Sequence, residues 1–208
     1  MIEHLILFSS DMVRAILDGH KTHTRRVVKP QPILMSGGVW YPSSVPGDSK
    51  NRTGLHYANE QHMRKGLPID FSPYGQPGDL LWVKETFAKS PTGFIYRADW
   101  FDGHGQEVVD LPTGRTVPLV WKSSRFMPRL ASRITLEIVN IRVERLQEIT
   151  DDDAIQEGVD RTNTSILGYA RTRFIALWNS IYYSKPELKW KFNPWVWVIE
   201  FKRLEPTP

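Results

Sequence analysis

Residues 134–143 read ITLEIVNIRV and carry the longest strand pattern in the chain. Ile134, Leu136 and Ile138 alternate with more polar neighbours, which is typical of a strand with one buried face. Two other stretches are rich in strand-forming residues, LLWVKETF at 80–87 and WVWVIEF at 195–201. The stretch 80–87 is apolar at both odd and even positions, and this predicts a central strand.

Short helices are predicted between these strands. A capping cluster at 9–11 begins the first helix, and Gly19 is placed to end it. Thr150 caps a second helix that closes at Gly158, and a third carries apolar residues at helical spacing over 174–181. Because strands outnumber helices, we expect an α+β fold. Its mixed, mostly antiparallel sheet curls into a small β-barrel with two or three peripheral helices, rather than a doubly wound sheet.

Length and composition limit the class of protein. The 208 residues fit a single domain over 1–208, and 40% hydrophobic with 24% charged residues is ordinary for a globular protein. With no cysteine, disulfides, thiolate metal sites and thiol nucleophiles are excluded. The N-terminus lacks a basic leader, and no stretch approaches the ~18 apolar residues of a membrane span. We therefore expect a cytoplasmic monomer with no membrane partner.

The stretch from about 29 to 77 differs from the rest of the chain. Prolines recur with glycines and polar residues, and no apolar period persists. This pattern predicts a long irregular insertion that is a lid, a binding loop or a partly disordered segment, with Ala58–Lys65 as its one helical turn. His56 and His62 lie inside it, but two histidines without a third ligand do not make a metal site. We predict no metal and no cofactor.

A lysine and a threonine stand three residues apart in the run GHKTHTRR at 19–26. A threonine hydroxyl becomes a nucleophile when a base takes its proton, and lysine is such a base when burial or nearby cations lower its pKa. In a regular strand Lys21 and Thr24 would face opposite sides, so Lys21 has to lie in the turn before the strand. The alternative is a solvated basic turn without chemistry.

Basic residues cluster at 21–29 and again at 122–133, each time near aromatic or apolar residues. Such clusters suit a nucleotide or another polyanion. The net charge of +4 is also common among proteins that bind no nucleic acid. Both interpretations stay open at this point.

Several motifs in order resemble the ASCH family. These are Gly19-x-Lys21-x-x-Thr24-x-Arg26, GDLLWV at 78–83, the segment 149–158 ending in Gln-Glu-Gly, and WVIEF at 197–201. The sequence at 82–87 and at 126–134 resembles the longer branch of this family found in bacteria and their prophages. The resemblance covers most of the chain outside 29–77 and the loop near Gly103. It implies a PUA-like fold, a small β-barrel with peripheral helices.

Some compact members of that family are amidohydrolases that remove the acyl group from N4-acylated cytidines with a lysine, a threonine and a glutamate. The resemblance assigns these roles to Lys21, Thr24 and Glu157. Thr24 would attack the acyl carbonyl, with Lys21 as its base or as electrostatic support, and Glu157 would orient the lysine. The guanidinium of Arg26 or nearby backbone amides would stabilise the oxyanion.

Three further residues are candidates for substrate binding. Glu85 is a second carboxylate on a predicted central strand, and Trp82 and Arg129 are suited to stacking on or contacting a nucleobase.

The substrate class has alternatives. The expected partner is a small nucleoside, and the main rival is a non-catalytic module that binds single-stranded or modified RNA in the same basic cleft. A ribonuclease is a third possibility, although the sequence offers no metal-binding carboxylate cluster or histidine pair for it.

Overall fold

The computed structural model describes residues 1–36, 38–42, 54–90, 92–100, 107–110, 113–159 and 168–205. In these ranges no helix is both long and apolar enough to cross a bilayer. The helices are α1 (Ser10–Leu17), α2 (Glu60–Phe71), α3 (Asp151–Gln156) and α4 (Tyr169–Ile181). The strands are β1 (Glu3–Leu7), β2 (His23–Val27), β3 (Ile33–Met35), β4 (Gly38–Pro42), β5 (Gly54–Tyr57), β6 (Leu80–Lys84), β7 (Phe87–Ser90), β8 (Gly93–Tyr96), β9 (Glu107–Asp110), β10 (Arg115–Pro118), β11 (Thr135–Arg145) and β12 (Trp195–Leu204).

The largest sheet has five strands in the order β1-β6-β11-β12-β2. Only β1 and β6 are parallel, and the other three neighbouring pairs are antiparallel. The strand pattern at 134–143 is confirmed as β11, and that at 195–201 as part of β12. These two strands pair along almost their whole lengths, with Ile141 opposite Ile199. The expected α+β class with a mostly antiparallel sheet is therefore confirmed.

The first half of strand β12, residues 195–199, is buried on both faces. Trp197 and Ile199 belong to the core that includes α1, while Val196 and Val198 belong to the core that includes α3 and α4. A strand between two cores has no solvent-facing side, so its sequence is apolar without alternation. This arrangement explains the run WVWVI at 195–199.

The sheet curls so that its two edge strands come close together. The guanidinium of Arg26 on β2 donates a hydrogen bond of 2.6 Å to the main-chain oxygen of Leu7 on β1. No ladder joins β1 to β2 among the described strands, so a closed barrel is not seen. Helix α1 connects the two edges, with Ser9 as its N-cap. The gap between the edge strands remains available for a site.

The insertion is more regular than the sequence predicts. Its described residues contain the three-stranded sheet β3-β4-β5 and the 12-residue helix α2. The helical turn expected at 58–65 extends instead to Phe71, because Met63 and Leu67, one turn apart, are fully buried in the main core. Pro68 lies inside this helix. Tertiary packing therefore overrides the local signal of the prolines, and residues 37 and 43–53 lie outside the description.

Candidate active site

Lys21 lies in the short connection between α1 and β2. Gly19, with a φ of 72°, adopts the left-handed conformation after the helix. The main-chain N–H of Lys21 then donates to the Ala15 oxygen, and Lys21 forms an isolated bridge with Glu157. Thr24 follows as the second residue of β2. Lys21 thus precedes the strand, as convergence with Thr24 requires.

The side-chain nitrogen of Lys21 has three acceptors. Nζ lies 2.9 Å from Oε2 of Glu157, 2.7 Å from the main-chain oxygen of Glu157 and 2.7 Å from the main-chain oxygen of His23. An ammonium group has three N–H donors, so these acceptors match its full hydrogen-bonding capacity. In this geometry Lys21 is a donor held by Glu157 and His23, and Thr24 is not among its partners.

Opposing influences act on the charge of Lys21. Burial lowers the pKa of Lys21 below its usual value, and the positive charges of Arg26 and Arg25 lower it further. The Glu157 carboxylate opposes this by attraction and by its hydrogen bond. Burial is the largest effect because the side chain is only 1% exposed and its charge is removed from water.

Glu157 lies between two cations. It is the C-cap residue of α3, and its carboxylate contacts Lys21 through Oε2 and Arg25 through Oε1, the latter at 3.3 Å from Nη1. Both cationic side chains are almost completely buried. A buried carboxylate with a cation on each oxygen is held in one orientation.

Gly158 allows α3 to approach Lys21 closely. Its φ of 85° is in the left-handed region. A Cβ at this position would lie 2.9 Å from the Ala15 Cβ and 3.1 Å from the Lys21 Cβ. The glycine after Glu157 is therefore required both by the backbone conformation and by the contact with α1 and Lys21.

A cavity of about 510 Å³ lies between the edges of the sheet and α4. Lys21, Thr24, Arg26 and Glu157 all line it, so the structure brings together the trio and the arginine that the sequence singled out. Its apolar lining comes mainly from the end of β1, from α1 and from α4. These residues are Leu7, Phe8, Met12, Phe174, Leu177, Trp178 and Ile181.

Glu85 lies elsewhere and has a structural partner. It is 1% exposed and forms two hydrogen bonds with Arg133, of 2.9 and 3.2 Å. Burial raises the pKa of Glu85, and Arg133 counteracts this. Because the described lining of the cavity does not include Glu85, the structure does not bring it to Thr24.

Trp82 and Arg129 also lie away from the cavity lining that the structure describes. The Arg129 guanidinium is 5.8 Å from the centre of the Trp82 ring and makes two 2.9 Å hydrogen bonds to Glu3. The two residues therefore contact each other beside β1 rather than Thr24.

Sequence reasoning missed two residues of the site. Phe8 follows β1, and its ring lies 5.5 Å from Lys21 Nζ and 5.1 Å from the centre of the Arg26 guanidinium. Arg25 also lines the cavity and contacts Glu157 directly. No local pattern signals the contact between Arg25 and Glu157, because the two residues are 132 positions apart.

Of the two histidines singled out in the insertion, His62 is the one whose side chain the structure describes. His62 is exposed on α2, and the side chain of His56 lies outside the described set. Across the described ranges, no three His, Asp or Glu side chains are grouped so as to hold a metal ion.

No protein-family model, curated protein or solved structure matches this chain.

Proposed function

We propose that this chain is an amidohydrolase of the ASCH family that removes the acyl group from N4-acylated cytidine or a related modified nucleoside. The supporting observation is that Lys21, Thr24 and Glu157 line one cavity, although 136 positions separate Lys21 from Glu157. The proposal includes a PUA-like β-barrel, and the approach of β1 and β2 through Arg26 and Leu7 supports it.

The cavity suits a small amphipathic substrate. Its volume of about 510 Å³ lies within the range of small-molecule sites. Thr24, Arg26 and Glu157 line it from β2 and the end of α3, whereas Phe174 and Trp178 line it from α4. The Trp178 indole is fixed by a 2.8 Å hydrogen bond to the Leu188 oxygen. A nucleobase would pack against α4 with its acyl group directed at Thr24.

Lys21 provides a route for the nucleophile's proton. Burial lowers the pKa of Lys21, so above that pKa the ammonium gives one proton to solvent and becomes an amine, which the Glu157 carboxylate orients. The amine then takes the proton of Thr24 as Oγ1 bonds to the acyl carbon. Lys21 has to exchange one of its three hydrogen bonds for Thr24 when substrate binds.

The remaining steps return the protons. The bond between the acyl carbon and N4 breaks, and N4 receives a proton from Lys21, which releases cytidine. Water then attacks the Thr24 ester and gives a proton to Lys21, and Lys21 passes this proton to the departing Thr24 oxygen, which restores the hydroxyl and the amine. The net reaction is amide plus water to amine plus carboxylic acid.

Arg26 is the side chain proposed to stabilise the oxyanion. Its guanidinium lines the cavity and donates to the Leu7 oxygen at 2.6 Å. A guanidinium has five N–H donors, and a fixed cation near the developing negative charge lowers the barrier by electrostatic stabilisation.

The RNA-binding alternative has less support from the basic residues. Lys21 and Arg25 are buried, and Arg129 and Arg133 are paired with Glu3 and Glu85. Binding through phosphates depends on cations that are accessible to the nucleic-acid backbone.

The decisive experiment follows the ultraviolet spectrum of N4-acetylcytidine with the purified protein and with Lys21→Ala, Thr24→Ala and Glu157→Gln. We expect wild type to produce cytidine and each variant to lose at least about 100-fold in kcat. Thr22→Ala is the matched control, since it removes a neighbouring threonine outside the described lining of the cavity.

Two results would overturn the proposal. One is a folded wild-type protein that converts none of several N4-acyl cytidines. The other is a Thr24→Ala protein with the activity of Thr22→Ala, which would exclude Thr24 as the nucleophile.

A further inference from the structure

We propose that Arg25 is a positioning residue of the site: its guanidinium holds Oε1 of Glu157 so that Oε2 and the main-chain oxygen of Glu157 are presented to Lys21. The inference rests on the proposed function for its catalytic consequence. Its geometric content does not depend on the substrate.

The contacts divide the Glu157 carboxylate between two cations. Arg25 Nη1 lies 3.3 Å from Oε1, and Lys21 Nζ lies 2.9 Å from Oε2. Arg25 and Lys21 therefore contact different oxygens of the same carboxylate. Rotation of the carboxylate would break both contacts, so Arg25 limits the orientations open to Glu157.

Arg25 is itself anchored on the side away from Lys21. Its Nη2 contacts Asp153 of α3 at 3.1 Å and Glu144 of β11 at 3.4 Å, and its side chain is fully buried. Two carboxylates at one nitrogen fix the plane of the guanidinium. The other terminal nitrogen of Arg25, Nη1, is thereby directed at Oε1 of Glu157.

Arg142 provides an internal comparison. It also contacts Glu144, and it lies 3.9 Å from Asp153, but its third carboxylate partner is Glu200 of β12 rather than Glu157. Arg142 is half-buried, with 29% of its side chain accessible. It therefore shares the outer carboxylates of Arg25 without the contact that the inference assigns to Arg25.

The charge on Arg25 reaches Lys21 by two routes. It repels the ammonium directly, and it weakens the hold of Glu157 on Lys21 by attracting the same carboxylate; both effects favour the neutral amine. Loss of Arg25 leaves more of the Glu157 charge to Lys21, so the ammonium becomes harder to deprotonate. The other charged groups facing the pair are Arg26 and His23 of β2, Asp153 of α3, Glu144 and Arg142 of β11, Glu200 of β12 and Asp11 of α1.

The test measures Lys21 directly. The full-length protein is labelled with ¹³C and ¹⁵N in lysine, and the Lys21 side-chain signal, assigned by its loss in Lys21→Met, is titrated by NMR in wild type, Arg25→Gln, Arg25→Lys and Arg142→Gln. We expect Arg25→Gln to raise the titration midpoint by about one unit or more. Arg25→Lys keeps the positive charge and should therefore raise the midpoint less than Arg25→Gln does. Arg142→Gln should change the midpoint by less than about 0.3 unit.

The kinetic readout is the pH dependence of kcat with N4-acetylcytidine. In Arg25→Gln the rising limb shifts to higher pH by the same amount as the NMR midpoint, so kcat at a fixed pH on that limb falls about tenfold per unit while KM changes little. A merely structural role predicts a uniform loss at every pH and no difference between Arg25→Gln and Arg142→Gln.

The outcomes separate the two proposals. A Lys21 midpoint that is unchanged in Arg25→Gln overturns the role of Arg25, whether or not the enzyme is active. A shifted midpoint with an inactive wild type supports the role of Arg25 and rejects the proposed reaction. If Arg25→Gln does not fold, Arg25→Met, which removes the charge and keeps a long apolar side chain at this buried position, takes its place, and an unchanged midpoint there has the same meaning.

Discussion

Lys21 and Glu157 contact each other twice, through the carboxylate oxygen Oε2 at 2.9 Å and through the main-chain oxygen at 2.7 Å, across 136 positions of sequence. The pair connects the start of β2 to the end of α3. Both side chains are buried, with 1% and 7% of their surfaces exposed. The contact therefore joins two elements of the fold at the same point where the proposed chemistry takes place.

Removal of one partner is expected to destabilise the protein strongly. Lys21→Met leaves the Glu157 carboxylate buried with Arg25 as its remaining cation, and we expect the free energy of unfolding to fall by about 3 kcal/mol. Lys21→Met combined with Glu157→Leu removes both charges and should recover at least about 1 kcal/mol of that loss. Urea denaturation of the two single variants and the double variant measures the coupling. Additive losses would show that the pair is not coupled.

Lys21 should also give the stability a pH dependence with a defined sign. Burial places the folded-state pKa of Lys21 below its unfolded value, so between the two values the unfolded chain binds more protons than the native chain. The free energy of unfolding from this group therefore rises with pH through that interval, up to about pH 10.5.

The measurement is the difference in unfolding free energy between wild type and Lys21→Met at several pH values from neutral upward. Subtraction removes the contributions of other titrating groups. If the unfolding free energy of wild type minus that of Lys21→Met decreases as the pH rises, the pKa of Lys21 is not lowered by folding.

Gly158→Ala should damage the site through the backbone. The added Cβ would lie 2.9 Å from Ala15 and 3.1 Å from Lys21, and alanine pays about 1–2 kcal/mol in the left-handed region. We expect a loss of about 2–4 kcal/mol when crowding is added to the conformational term. Gly114→Ala is the matched control, since Gly114 also has a positive φ, of 65°, but no atom within 4 Å of an added Cβ. Equal melting temperatures for the two variants would exclude the close contact.

Glu85→Gln should separate stability from activity. The change weakens two hydrogen bonds to Arg133, and because Arg133 is partly accessible we expect a loss of only about 1–2 kcal/mol. The activity of the folded protein should stay within about twofold of wild type, since Glu85 is not part of the described cavity lining. Thermal unfolding and the N4-acetylcytidine assay on the same sample check both expectations. A large fall in kcat with normal stability would show that Glu85 takes part in the proposed reaction.

Strand and helix positions followed closely from local sequence patterns. The alternation at 134–143 and the apolar run at 195–201 gave the paired strands β11 and β12, and Thr150 indeed caps α3 through the Asp153 N–H. The insertion was less predictable. Its prolines suggested irregular structure, whereas burial of Met63 and Leu67 against the sheet stabilises a helix that continues past Pro68.

The sequence by itself determined the strand periodicity, the capped helices and the position of Lys21 and Thr24 just beyond a helix end, because these depend on neighbours within a few positions. Only the tertiary structure decided which charges meet. Lys21, Arg25 and Glu157 come together because α3 packs against the start of β2, whereas Glu85 is bound by Arg133 and Trp82 by Arg129. Ion pairs between distant residues depend on the distances and burial that folding creates, and no local pattern encodes them.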